Sequence, residues 1–303
     1  MKKNLLLTLA LCLLAQWSVA QAPKWVEKAK RAVFSVVTYD ESDKILNTGN
    51  GFFVTEDGMA LSDYSLFKGA QRAVVINSEG EQMPVEVIMG ANDMYDVVKF
   101  RVAISGKKVP ALLVSPTAPT VGTSVYLLPY STQKDRSYTT GQVKEESKVD
   151  GQYHYYTLDM HLKDKMVSCP VMTADGQVFG LAQKSSGKDT ATICYAVGAD
   201  YAMAQKINPL SFNDHALSSI GIKKALPDTE EQALVYLYMA SSQQTPEKYA
   251  ELLNDFIAQY PNSADGYFRR ANSQMYLSKE ISSMDKVAAD IDKALEVAQK
   301  KDD

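Results

Sequence analysis

The sequence predicts an all-β region of barrel or sandwich type followed by a small all-α region, on three observations. Short β-type runs separated by turn residues recur from Ala32 onward. The pattern breaks at Ser115-Pro116-Thr117-Ala118-Pro119 and restarts at Val121. Beyond Pro209 the composition shifts to helix formers.

The first element is a leader. Lys2 and Lys3 precede an apolar run from Leu5 to Leu14 and a small-residue site at Ser18-Val19-Ala20, the signature of a secretory signal peptide cut after Ala20 (residues 1–20). The run is too short to span a membrane, so the mature chain is expected to be exported, periplasmic or extracellular, and not membrane-spanning. Removing Lys2 and Lys3 leaves 30 basic against 36 acidic residues, a net charge of −6, which argues against nucleic acid as a partner. Two cysteines remain, Cys169 and Cys194, as a disulfide or as two buried thiols.

The β-runs follow at 33–37, 51–54, 73–76, 85–88 and 97–102, and after the break at 121–128. The β region is taken as residues 21–210, closing on a short capped helix at 200–207. The polar stretch 211–226 reads as a linker, and 227–303 as a helical domain. Its four helices are expected at 229–243, 246–260, 264–277 and 283–300. Asp228-x-x-Glu231 and Ser282-x-x-Asp285 resemble capping boxes, and Pro246 suits a first helical turn.

Residues 159–170 resemble the nucleophile loop of trypsin-like serine proteases of the HtrA type. That family carries Asp eight residues before its nucleophile, then Gly-x-Ser-Gly-Gly-Pro. In this chain the Asp falls on Asp159, the Pro on Pro170, the nucleophile on Val167 and the preceding Gly on Lys165. Downstream, Asp175-Gly176-Gln177-Val178-Phe179-Gly180-Leu181 and Cys194-Tyr195-Ala196-Val197 resemble the family's two following strands, which holds the register. Gly49-Asn50-Gly51-Phe52 and the run from Asp57 to Leu66 resemble Gly-Ser-Gly-Phe and Asp-Gly-x-Ile-Leu-Thr-Asn-x-His-Val, which puts the general base on Ser65. The run from Tyr95 to Val102 places the orienting carboxylate on Asp96. The resemblance covers about residues 30 to 208 and implies an all-β double barrel of trypsin-like fold.

Serine proteolysis needs a hydroxyl activated by an imidazole, a carboxylate orienting that imidazole, and amides around the oxyanion. Val167 has no hydroxyl, Ser65 is no base near neutral pH, and Lys165 lacks the freedom of Gly. Of the triad-equivalent positions Ser65, Asp96 and Val167, only Asp96 keeps its residue type. Two rival nucleophiles, Ser168 and Cys169, need a shifted loop, and Cys169 also needs a cation or imidazole such as His161 beside it. His154, His161, Cys169 and Cys194 match no compact zinc-ligand spacing, so no metal and no cofactor is expected. Asp159 corresponds to the base of the specificity pocket, where Met160 and His161 replace small residues.

In the active relatives, the cleft between the barrels adds an extended peptide as a strand, which requires no triad. The implied function is an exported pseudoprotease that binds protein or peptide segments. The alternative is an endopeptidase of envelope quality control using Ser168 or Cys169. Tyr260-Pro261-Asn262, Ala264, Tyr267, Ala271 and Asp292-Lys293-Ala294-Leu295 are similar to tetratricopeptide repeats, the plain reading being a helical appendage on the barrels.

Overall fold

The computed structural model of the chain describes residues 22–302 apart from 107, 133–136, 185–192 and 278–283. The leader and the Ser282 cap lie outside these residues.

Six strands, β1 (Val33–Tyr39), β2 (Ile45–Phe53), β3 (Met59–Ser62), β4 (Arg72–Ile76), β5 (Gln82–Asn92) and β6 (Val97–Val102), close antiparallel in the order β1-β2-β3-β6-β5-β4. A second six, β7 (Ser124–Leu127), β8 (Thr139–Val149), β9 (Tyr153–Asp159), β10 (Pro170–Met172), β11 (Val178–Gln183) and β12 (Ile193–Gly198), close as β10-β11-β12-β9-β8-β7. Closure pairs every strand on both sides and leaves no free edge within either sheet. The first barrel is filled by Phe34, Phe53, Phe67 and Phe100, with ring centroids 4.7 Å apart for Phe34 and Phe53 and 4.9 Å for Phe67 and Phe100. Gly51 is required there, because a Cβ would stand 2.5 Å from the Phe34 ring and 2.6 Å from the Leu61 carbonyl.

A short helix α1 (Val26–Lys30) precedes the first barrel, and Trp25 ahead of it donates to the Ala174 carbonyl at 2.9 Å, between β10 and β11. Helix α2 (Tyr64–Phe67) follows β3. Helix α3 (Ala199–Ala204) closes the second barrel three residues earlier than the sequence suggests.

The 211–226 stretch, read from sequence as a linker, is docked on the first barrel. It contains α4 (His215–Ser218), and its Ala216, Leu217, Ile220, Ile222 and Leu226 are buried in the first barrel's core. The Ile88 amide donates to Lys223 and the Ala225 amide to Ile88, both at 2.8 Å. Polar composition concealed this apolar spacing. The helices α5 (Glu230–Ser241), α6 (Pro246–Gln259), α7 (Ala264–Leu277) and α8 (Met284–Asp302) continue the same core through Leu237, Phe256 and Ile257. Thr229, not Asp228, caps α5 by accepting from the Gln232 amide at 3.3 Å, and Thr245 caps α6. Arg270 of α7 clamps Asp290 of α8 through two hydrogen bonds of 2.8 and 2.6 Å. Among the described residues no helix is long and apolar enough to cross a membrane.

Candidate functional site

Three segments converge between the barrels: Gly49 and Asn50 of β2, the β3–α2 junction at Asp63 to Leu66, and the loop entering β10. They enclose a cleft of about 370 Å³ lined by Asn50, Asp63, Ser65, Lys165, Val167 and Ser168, among others. The structure therefore gathers Ser65, Lys165, Val167 and Ser168 at one place, with Asp96 touching Ser65. It leaves Asp159 at the exposed end of β9 and buries neighbouring Met160 in the second barrel's core.

Asp96 grips Ser65 with both oxygens. One accepts the Ser65 amide at 2.6 Å and the other the Ser65 hydroxyl at 3.0 Å. This contact caps α2 from outside, since Asp63 at the N-cap position makes no capping bond with its side chain. Asp96 sits in the left-handed region at φ +50°, which Asp tolerates better than most residues. Its turn is fixed across the barrel junction. Gln183 Nε2 donates to the Tyr95 carbonyl at 2.6 Å, the Tyr155 hydroxyl donates to Gln183 at 3.0 Å, and the Tyr95 ring meets Tyr201 at 5.2 Å.

The loop carrying Val167 is folded onto itself. A 3-10 turn spans Asp164–Met166 and hands the Val167 amide to the Asp164 carbonyl at 3.4 Å. The Ser168 amide donates to Ala182 at 2.8 Å and the Cys169 amide to Met166 at 3.3 Å. Asn50 bridges from the first barrel, its Nδ2 donating to the Lys165 carbonyl at 3.0 Å and the Val167 carbonyl at 2.8 Å. Ser62, fully buried, holds Asn50 in turn by donating to its carbonyl at 2.5 Å. The Val167 amide, one of those that would face an oxyanion, is engaged, and two carbonyls of the loop are turned toward Asn50.

Ser168 occupies φ +64°, the backbone region its Gly-like motif position demands, and is 1% exposed. Cys169 is fully buried, and burial pushes its thiol up to about 12. Cys194 is raised to about 12 for the same reason, and both thiols are free. His161 is exposed at the loop's start. His154 lies on β9 between Glu146 at 3.2 Å and Asp200 at 3.7 Å. Among the described residues no three His, Cys, Asp or Glu side chains are grouped to hold a metal ion.

Two residues of the cleft are missing from the sequence reading. Asn50 stands at the Ser of the Gly-Ser-Gly motif, and its change to an amide was the available signal. Asp63 stands where the family has Asn, at the floor of the cleft and 3% exposed. Burial holds its carboxyl well above the usual carboxylate range, the Asp96 charge adds to this, and the Ser168 hydroxyl draws it partly back. Its Oδ1 is buried with no hydrogen-bond partner.

Residues 49–181 match the trypsin-like peptidase domain family. A curated relative, the anti-sigma-I factor RsgI9 of Acetivibrio thermocellus, is 23% identical over 197 residues, which are 65% of this chain and 27% of that protein. The chain thus spans about a quarter of that relative's length.

Proposed function

We propose that this chain, a trypsin-like peptidase domain joined to C-terminal helices, is an exported pseudoprotease whose cleft holds a peptide segment without cutting it. One observation carries the reading. Where the family has its nucleophile, Val167 presents an isopropyl group and its amide is already spent on Asp164. Turnover by the family's route asks for hydroxyl, imidazole and free amides together, and loss of even one triad member costs on the order of 10⁴ in rate.

Ser168 and Cys169 support the same conclusion. A hydroxyl bonded to the buried Asp63 carboxyl, and a fully buried thiol pushed up to about 12, are not activated nucleophiles. Export follows from the leader at 1–20. The helices, similar to tetratricopeptide repeats, act as a second protein-binding face joined rigidly to the barrel by the 211–226 strap. Anti-sigma activity belongs to a relative of which this chain spans 27%, and is not carried over.

Fluorescence anisotropy with a library of extended peptides tests the reading on the mature chain. Saturable binding with every peptide recovered intact is expected. Absence of binding, or recovery of cleaved peptide, would contradict it.

A further inference from the structure

We infer that the floor of the inter-barrel cleft is a site for a primary ammonium, supplied by a lysine side chain of the bound peptide and received by the unpartnered Oδ1 of Asp63, with the Ser168 hydroxyl beside that carboxyl. The inference rests on the cleft being a peptide-holding groove and adds what that groove selects. Three observations carry it. Asp63 stands at the N-cap of α2 yet makes no capping bond with its side chain, the capping role being taken by Asp96. Its carboxyl lines the cleft, 3% exposed, with one oxygen lacking any partner, a state that is costly until a donor arrives. The cleft's volume, about 370 Å³, is large enough for one long side chain.

Charge and geometry select the ammonium. Lys165 stands at the rim, and Asp164 next to it is paired with Lys184 at 2.7 Å. Deeper in, the groups facing Asp63 are the Asp96 carboxylate from the β5–β6 turn, the Tyr155 hydroxyl from β9, and Ser168 and the Cys169 thiol from the loop. None of these is a cation. A guanidinium fork wants two carboxylate oxygens side by side, whereas a single free oxygen suits a compact point charge. Burial and Asp96 raise the Asp63 carboxyl in the empty cleft, and an entering ammonium favours its ionised form.

The test titrates the full mature chain near neutral pH with n-butylammonium chloride at constant ionic strength, following the Asp63 carboxyl carbon by NMR, with n-butanol as control. A saturable shift to the ionised position is expected with the amine alone. No shift, or the same shift with the alcohol, would overturn the site. In parallel, a captured peptide is compared with its lysine→norleucine form on wild type and Asp63→Asn. Wild type is expected to prefer lysine by roughly ten-fold or more, and the variant to bind both forms alike. An undiminished lysine preference in Asp63→Asn would remove the site while leaving a peptide-binding cleft in place. Titration of Asp63 by the amine with no peptide captured would uphold the site and defeat the peptide-holding reading.

Discussion

Asp96 accepts both the amide and the hydroxyl of Ser65, so its carboxylate caps a helix. Charge-assisted bonds of this kind contribute to stability, where a catalytic carboxylate contributes to rate. Asp96→Ala is therefore expected to destabilise the fold by about 1–3 kcal/mol, read by urea denaturation, and Asp96→Asn by less.

Asp63 gives the stability a distinctive pH dependence. Its folded pKa lies above its unfolded value, so the folded state holds a proton that the unfolded state releases. Its contribution is complete below the unfolded carboxylate range and is lost as pH rises toward the folded value. Asp63→Asn should be more stable than wild type near neutral pH, and the difference should shrink under acid. Denaturation at several pH values checks the sign.

The two thiols should be inert in the native state. With both pushed up to about 12 by burial, neither is ionised at neutral pH. Ellman's reagent is expected to find no reactive thiol in the folded mature chain and two after unfolding, without reductant. A thiol that titrates in the native protein would return Cys169 to consideration.

Among the described residues, Arg270 and Asp290 form the most buried ion pair of the helices, with side chains 25% and 9% exposed. Arg270→Ala strands a buried carboxylate and should cost about 3 kcal/mol, while the Arg270→Ala/Asp290→Leu double variant recovers much of the loss. Thermal unfolding followed by far-UV circular dichroism measures both.

What the sequence revealed followed its covalent pattern. Turn-bounded β-runs and two matching motif strands were enough for the double barrel, because closure depends on strand number and register rather than on catalytic groups. Residue types at Ser65 and Val167 were equally readable. Contacts between segments distant in sequence were not. Asn50 reaching Lys165 and Val167, Asp96 capping α2, and the unpartnered Asp63 all depend on side-chain direction after the barrels have met. The 211–226 strap was hidden for another reason: its buried Ala216, Leu217, Ile220 and Ile222 are spaced to meet a neighbouring surface, and the intervening polar residues gave the stretch a linker's composition.

The account turns on whether any side chain near Val167 forms a covalent acyl or phosphonyl bond. Intact-mass analysis of the mature protein after prolonged exposure to a fluorophosphonate measures this directly. No adduct is expected on wild type. An adduct on Ser168, abolished by Ser168→Ala and accompanied by peptide hydrolysis, would contradict it.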